Sequence, residues 1–235
     1  MNAPRCWALV PAAGSGSRLG GEKPKQYLEI AGKPLLAHTL ESLAEVGPIL
    51  GIAVGLARDD CWWHEEFVPS DRILGTYVGG VSRAETVLRG LEYLESHVHT
   101  EDWVLIHDAA RPCIRPSDIE RLISERGDGP SGALLAVPVP DTMKQSNGSD
   151  QVERTISREG LWSAQTPQLF FYEALRDALQ GSDLATVTDD SSAMEAAGYM
   201  PRLVPGRADN LKVTTREDLE LAALILQARC QDGDK

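Results

Sequence analysis

Short apolar segments alternate with amphipathic segments along most of the chain. Four apolar runs have the length of strands: Cys6–Val10, Ile49–Leu56, Trp103–His107 and Gly132–Val139. Short runs that are apolar throughout, rather than at every second position, are typical of strands in a sheet with helices on both faces. The pattern therefore predicts strands separated by helices.

The segments between these runs have helical spacing. Pro34 opens an amphipathic helix, which Gly47 ends. Two pairs of residues have the spacing of a capping box at the start of a helix: Ser82 with Glu85, and Ser117 with Glu120. Later helices are predicted over three further segments: Tyr172–Leu179, Ser191–Ala197 and Thr215–Gln231.

This alternation predicts an α/β protein of Rossmann-like type, in which helices flank a mainly parallel, twisted sheet. A chain of 235 residues suits one domain over residues 1–235. Ligands of such sheets bind at the carboxyl ends of the strands. Gly14 and Asp108 both follow a predicted strand, so we expect them at the ligand-binding edge.

One polar segment, residues 139–160, interrupts the alternation. Asn147-Gly148 is a strong hairpin signal, with Thr142–Lys144 and Val152–Ile156 as its two strands. The segment has too few apolar residues for its own core, and an isolated hairpin is marginal in water. We expect a protruding β-hairpin arm. The residues alone leave open whether it is a flexible excursion or packs against a second subunit.

The composition favours a small anionic ligand. Hydrophobic residues make up 42% of the chain, enough for a core, and the formal net charge is -12 at pH 7. Nucleic acids and anionic membranes bind positive surfaces, so we expect neither as a partner. An acidic protein with locally clustered cations is suited to an anion held in one focused site.

The chain also lacks the sequence signs of export. We find no apolar run near the length of a membrane span and no signal-peptide core at the N-terminus. The cysteines have no metal-ligand spacing and are expected to be reduced thiols: Cys6, Cys61, Cys113 and Cys230. We therefore expect a cytoplasmic protein.

A glycine-rich segment follows the first predicted strand. Gly14 and Gly16 let the backbone turn sharply and expose its N–H groups. Arg18, Lys23 and Lys25 follow closely. Bare amides beside cations are suited to a triphosphate.

This segment departs from two familiar phosphate motifs. Leu19 stands where a dinucleotide fingerprint has its third glycine, and Glu22 stands where a triphosphate P-loop has its lysine. The segment therefore binds phosphate in another way, unless it is a glycine-rich turn without a ligand.

Asp108 is the leading candidate for a metal ligand. Mg²⁺ takes a carboxylate and phosphate oxygens while keeping several waters, and Asp108 follows a strand at the expected phosphate site. The alternative is an Asx turn or a helix cap. His107 is expected to be a structural neighbour, and the five histidines share no zinc-ligand spacing.

Further polar residues are candidate ligands for phosphate or hydroxyl groups: Arg111, Arg158, Lys212, Thr166 and Thr188. Each of these cations also fits a solvated surface charge, and Arg111 could instead pair with Asp108. Thr188-Asp189 also fits a helix N-cap. No enzyme nucleophile is predicted. A phosphate monoester is already largely dianionic at neutral pH, so as a nucleophile it needs alignment and charge neutralisation instead of a general base.

Six motifs then occur in one order along the chain: Pro11–Arg18, Pro24–Tyr27, His107–Pro112, Asp141–Lys144, Gln165–Gln168 and Gly206–Thr214. The first alone indicates only a broad group of nucleotidyltransferases. Together, over about residues 6–225, they resemble the 2-C-methyl-D-erythritol 4-phosphate cytidylyltransferases of the non-mevalonate isoprenoid pathway.

The resemblance implies a reaction and roles for its residues. CTP and methylerythritol 4-phosphate would give the CDP-linked alcohol and pyrophosphate. Arg18 and Lys25 would stabilise the transition state, Asp108 would hold the cofactor Mg²⁺, and Arg158 and Lys212 would position methylerythritol phosphate.

The resemblance also implies a set of substrate contacts and a homodimer. Contacts to cytosine would come from Ala12, Ala13, Gly80 and Thr86. The sugar-phosphate pocket would be bordered by Arg111, Thr142, Thr166 and Thr188. The set is completed by Pro11, Gly14, Gly16 and Ala109. The arm would embrace the second subunit, so that Arg158 serves the neighbour's site.

Two positions depart from the family pattern. Val81 stands where many relatives carry a polar residue, and Thr86 replaces the more usual serine. Threonine keeps the hydroxyl, whereas valine leaves any contact to the backbone. The alternatives are a ribitol 5-phosphate cytidylyltransferase or another sugar-phosphate nucleotidyltransferase, a nicotinamide oxidoreductase, and an inactive binding module.

Overall fold

The computed structural model of the chain describes residues 4–14, 23–64 and 71–232. The strands are β1 (Cys6–Pro11), β2 (Glu29–Ile30), β3 (Lys33–Pro34), β4 (Ile49–Leu56), β5 (Ile73–Val78), β6 (Trp103–Ile106), β7 (Ala133–Pro138), β8 (Met143–Ser146), β9 (Val152–Ile156), β10 (Trp162–Phe171) and β11 (Arg202–Pro205). The helices are α1 (Leu35–Ala44), α2 (Arg83–Leu94), α3 (Pro116–Glu125), α4 (Tyr172–Gln180), α5 (Asp190–Ala196) and α6 (Arg216–Asp232). The strands and helices predicted above are all present.

The central sheet has the strand order β11-β7-β10-β6-β1-β4-β5 within the described ranges. β1 pairs in parallel with β4 and with β6, β4 with β5, and β7 with β11. β10 runs antiparallel to its neighbours β6 and β7. The mainly parallel sheet with flanking helices confirms the predicted fold class.

Alternate residues of β1 enter different apolar clusters on the two faces of the sheet. Cys6, Ala8 and Val10 pack in the cluster that includes α1 and α3. Trp7 and Leu9 pack in the cluster that includes α2, α4 and α5. Because both faces are covered, the strand is apolar at successive positions.

One predicted cap is wrong. Ser117 does not cap α3, because the helix begins one residue earlier, at Pro116, and Arg115 occupies the cap position without a side-chain bond. Proline suits the first helical position, since its fixed φ fits the helix and its missing N–H costs no bond there. For α2 the predicted cap is present, with the Glu85 N–H donating to Ser82 Oγ at 3.1 Å.

Five strands were not predicted from the sequence: β2, β3, β5, β10 and β11. β10 contains the polar residues Gln165–Gln168, and its register with β7 shifts between Ala164 and Gln168. Pro167 has no N–H to donate, which a strand tolerates at such an irregularity. Neither a continuous apolar run nor a regular alternation marks this strand.

The predicted arm is confirmed as a separate two-stranded sheet of β8 and β9. Its turn is longer than a two-residue Asn-Gly loop, because Ser146 pairs with Val152 and the Asn147 N–H donates to the Gln151 carbonyl at 3.1 Å. Within the described ranges, every helix is too short or too polar to span a bilayer.

Gly132, which precedes β7, provides a test of the packing against β10. Its φ is +69°, and an added Cβ would overlap the carbonyl of Leu169. We expect Gly132→Ala to lower the free energy of unfolding by about 3 kcal/mol or more, because strain and overlap add.

Gly148→Ala in the arm is the matched control. Its φ is +83°, and no heavy atom lies within 4 Å of an added Cβ. We expect a loss of about 1 kcal/mol from strain alone. Urea unfolding followed by circular dichroism measures both variants, and equal losses would contradict the packing argument.

Candidate active site

Two adjacent cavities open at the carboxyl ends of the strands, as expected for this kind of sheet. The first, of about 370 Å³, lies where β1 and β6 end and is lined by Pro11–Gly14 and Asp108–Ala110 among others. The second, of about 800 Å³, extends along β10 to the start of α5. Of the described residues, three line both cavities: Arg83, Asp108 and Lys212.

The first cavity begins where β1 ends. The Ala12 N–H donates to the Gly55 carbonyl at 2.7 Å, and the Gln26 side-chain amide donates to the Ala12 carbonyl at 2.7 Å. Lys25 lines the same cavity, and its Nζ donates to the Val213 carbonyl at 3.2 Å. These contacts hold a cation beside the end of the strand.

The loop before α2 lines the same cavity with Gly80, Val81 and Ser82. The Gly80 N–H donates to Thr86 Oγ1 at 3.0 Å, and the Val81 N–H donates to the Glu85 carboxylate at 2.8 Å. The Thr86 hydroxyl donates to the Ser82 carbonyl at 2.9 Å. Helix α2 therefore holds the loop, and the Thr86 hydroxyl is part of that support.

Asp108 lies at the junction of the cavities, among three cations. Arg83 Nε donates to Asp108 Oδ1 at 2.8 Å, and Lys212 Nζ lies 2.8 Å from Oδ2. Arg111 Nε lies 3.8 Å from Oδ2. Burial by itself would raise the pKa of Asp108, but these charges outweigh it and hold the pKa well below its usual range. The carboxylate is therefore ionised.

Thr166 and His107 form a hydrogen-bonded support for the backbone at Asp108. The Asp108 N–H donates to Thr166 Oγ1 at 3.0 Å, and the same oxygen lies 3.1 Å from His107 Nδ1. His107 Nε2 lies 3.2 Å from the Arg111 carbonyl. Burial lowers the pKa of His107 to about 4, so the ring is neutral at neutral pH. Both ring nitrogens face protein groups, which gives His107 a structural place.

Long-range contacts bring Lys212 to this site. Arg111 Nη1 donates to the Asn210 carbonyl at 2.7 Å, and the Asn210 side-chain amide donates to the Thr166 carbonyl at 2.9 Å. The Val213 N–H donates to the Ala110 carbonyl at 2.8 Å. The segment that carries Lys212 is thereby fixed over the end of β6.

Known proteins resemble this chain in sequence and in fold. Residues 6–228 match the family model described as 2-C-methyl-D-erythritol 4-phosphate cytidylyltransferase. The chain belongs to this family.

A protein of that name from Azoarcus sp. (strain BH72) is 48% identical over 228 residues, which cover 96% of each chain. A solved structure titled 4-diphosphocytidyl-2C-methyl-D-erythritol synthase is 35% identical, with a TM-score of 0.83, over 95% of this chain and 99% of the other. The family member from Francisella tularensis is 32% identical, with a TM-score of 0.79, over 94% and 99%.

Most of the residues predicted for a family site lie around the two cavities. The first is lined by Pro11, Ala12, Ala13, Gly14, Lys25, Gly80, Thr86, Asp108, Ala109 and Lys212. The second is lined by Arg111, Thr166 and Thr188, as well as by Asp108 and Lys212. The structure brings these residues together, and their contacts with substrate stay predictions.

Two of the predicted residues belong to the arm. Thr142 and Arg158 are exposed at the arm and line neither cavity, and an Arg158 Nη1 donates to the Pro140 carbonyl. Gly16 and Arg18 lie outside the described residues, so their roles stay predictions.

Three residues at or next to the cavities were not predicted as site residues: Arg83, Gln26 and Asp190. Arg83 had one local signal, because a cation in the first turn of a helix is unfavourable unless an anion offsets it. Two anions do so here: Arg83 contacts Asp108 and Asp190, each at 2.8 Å. Gln26 and Asp190 have no such signal, since their partners are distant in the chain.

A Mg²⁺ site needs oxygen donors. No group of three or more His, Cys, Asp or Glu that could hold a metal occurs within the described ranges. Mg²⁺ is commonly held by one or two carboxylates together with waters and substrate phosphates. The single ionised carboxylate of Asp108, at the junction of the cavities, fits that mode of binding.

The environment of His107 leads to a testable pH dependence. In the folded, metal-free protein we expect the His107 ring to have a pKa of about 4, whereas in the urea-unfolded chain its pKa should be about 6.5. Because the pKa of His107 is lower in the folded protein, burying the neutral ring contributes to stability. This contribution is complete above about pH 6.5 and is lost as the pH falls toward about 4.

Imidazole ¹⁵N shifts measured by NMR report the titration. The His107→Asn variant assigns the signal by its disappearance. A midpoint for His107 at or above about 6.5 in the folded protein would refute the buried, neutral ring.

Proposed function

We propose that this enzyme transfers CMP from CTP to 2-C-methyl-D-erythritol 4-phosphate, releasing pyrophosphate and forming the CDP-linked alcohol. The observation that carries the proposal is the family match over residues 6–228, joined to two cavities that meet at Asp108. A transferase for two phosphorylated substrates needs two adjoining sites with cations at their junction. This chain has that arrangement.

CTP is assigned to the first cavity and the phosphorylated polyol to the second. The first lies at the end of β1, beside Gly14 and Lys25, where a triphosphate can meet backbone amides and a cation. The second contains Arg111 and Thr166, which suit a phosphate and hydroxyl groups.

The contacts of Thr86 favour cytosine as the base. Its hydroxyl donates its only hydrogen bond to the Ser82 carbonyl and accepts a hydrogen bond from the Gly80 N–H. The remaining lone pair can only accept a hydrogen bond. An acceptor suits the exocyclic amino group of cytosine and not the carbonyl that uracil carries at that position.

The reaction needs no enzyme nucleophile. A phosphate oxygen of the polyol substrate forms a bond to the α-phosphorus of CTP, while the bond from that phosphorus to the bridging oxygen breaks. Pyrophosphate leaves with the electron pair. Because the attacking phosphate is largely dianionic near neutral pH, the enzyme's tasks are alignment and charge stabilisation.

The cations divide these tasks. Lys25, with Arg18, stabilises the negative charge that develops on the nucleotide phosphates. Lys212 lines both cavities, so it can hold the attacking phosphate next to the α-phosphorus. Asp108 would hold Mg²⁺, which when bound neutralises phosphate charge as a Lewis acid.

The arm completes the proposal as a dimer contact. It forms its own small sheet, in which Met143 and Val152 are exposed hydrophobic residues. Thr142 and Arg158 line neither cavity of their own chain. In a homodimer the arm would reach the partner's second cavity, where Arg158 would position the polyol phosphate.

A cytoplasmic location belongs to the same proposal. The four cysteines are free thiols: Cys6 and Cys113 are buried, and Cys61 and Cys230 are exposed. Exposed free thiols fit a reducing compartment.

Turnover measures the substrate assignment directly. With CTP and Mg²⁺, we expect pyrophosphate release to be much faster with methylerythritol 4-phosphate than with ribitol 5-phosphate. The reason is that the matching family is described by its use of methylerythritol 4-phosphate. UTP in place of CTP tests the base. Faster use of ribitol 5-phosphate would overturn the assignment of the polyol.

Subunit mixing tests the shared site. We expect Lys25→Ala alone to lower kcat by about a hundredfold, and Arg158→Ala to be similarly impaired. In a mixed dimer, one of the two sites would have both unmutated residues, Lys25 from one chain and Arg158 from the other. The second site would have both alanines. Random exchange should therefore restore about a quarter of the wild-type activity.

A mixture of Lys25→Ala with Lys212→Ala is the matched control. Both residues line the first cavity of one chain, so each site of the mixed dimer lacks one of them and stays inactive. Recovery with Arg158→Ala no greater than in this control would refute the sharing of sites.

A further inference from the structure

Arg83 joins the reactive junction to a carboxylate behind it. Its Nε donates to Asp108 Oδ1 at 2.8 Å, and its Nη2 donates to Asp190 Oδ2 at 2.8 Å. A guanidinium is planar and rigid, so two fixed nitrogens determine its orientation. Arg83 lines both cavities, whereas Asp190 lines neither.

The burial of Asp190 carries a cost in free energy. The residue is fully buried, and its Oδ1 has no hydrogen-bond partner among the described residues. An unpaired buried acceptor costs free energy, and a buried ion pair often contributes no net stability. What the carboxylate does provide is a second anchor for Arg83.

Strand β10 supports both carboxylates that Arg83 contacts, Asp108 and Asp190. Thr166 accepts the N–H of Asp108 at 3.0 Å. Gln168 accepts the N–H of Ser191 at 2.8 Å and donates to Asp189 at 2.7 Å, which fixes the start of α5. One short segment of β10 therefore sets the positions of Asp108 and Asp190 relative to each other.

We propose that Asp190 and Arg83 are positioning residues for the transfer reaction: Asp190 orients Arg83, and Arg83 orients the Asp108 carboxylate between the cavities. The inference rests on the proposed function. Lys212 holds the other carboxylate oxygen at 2.8 Å, so side chains of the protein itself fix both oxygens. Such preorganisation removes the need to reorient charges during the reaction.

Asp190→Asn is the first test, because it removes the charge and keeps the shape. Misplacing reacting groups by a small distance costs about 10- to 100-fold in rate, so we expect a loss of that size in kcat. Asp190 lines neither cavity. The KM values for CTP and the polyol phosphate should therefore stay within about threefold, well below the loss in kcat.

Asp118→Asn is a closely matched control. Asp118 is also buried, at 2% exposure, pairs with one arginine, Arg121, at 2.6 Å, and has an oxygen without a partner in the described part of the chain. It lines neither cavity. We expect a similar change in melting temperature for both variants, but wild-type kcat only for Asp118→Asn.

A double-mutant cycle tests whether Asp190 acts through Arg83. If it does, Asp190→Asn should lower kcat no further in an Arg83→Gln background, because the group that it orients is gone. A crystal structure of Asp190→Asn without ligands should show the Arg83 and Asp108 side chains displaced.

Arg83→Lys keeps the charge and covers the case in which Asp190→Asn does not fold. A single ammonium cannot reproduce the two-sided contact, so we expect a loss of kcat comparable to that of Arg83→Gln. Wild-type kcat in Arg83→Lys, equal losses in the two Asp→Asn variants, or multiplied losses in the cycle would overturn the inference. An inactive wild-type enzyme would instead refute the proposed function.

Discussion

The ion cluster around Asp108 is the constraint on which the site depends. A carboxylate removed from water tends to become neutral, and cations brought together repel one another. Here the cations keep the buried carboxylate ionised, and the carboxylate offsets the repulsion between the cations. The carboxylate lies 2.8 Å from Arg83 and 2.8 Å from Lys212. The two cations come from α2 and from the segment after β11, while Asp108 follows β6. The cluster therefore forms only when three distant parts of the chain have folded together.

The same cluster reconciles an acidic protein with phosphate-rich substrates. The chain has a formal net charge of -12, yet Lys25, Arg83, Arg111 and Lys212 converge on the two cavities. Positive charge is therefore concentrated where phosphates would bind. A small site with many cations needs an internal anion, and Asp108 provides it.

Strand β10 shows how the fold accommodates this chemistry. A regular antiparallel strand would continue its ladder with β7 through Gln165–Gln168, but the register shifts there. The freed polar groups support the site instead: Thr166 holds Asp108, and Gln168 holds the start of α5. Irregularities of this kind are common next to active sites, where they aim side chains that a regular strand would direct elsewhere.

Much of the fold was determined by the sequence itself, because strand runs, helix spacing, the Gly148 turn and the Ser82 cap depend on neighbours along the chain. Ser117 was misread because Pro116 competes locally for the helix start. The motifs also located most of the residues around the cavities. Only the tertiary structure decided that Arg83 lies between Asp108 and Asp190, pairs separated by 25 and 107 positions. Periodicity and spacing describe local preferences, whereas such pairs arise from the packing of α2, α5 and β10 around one core.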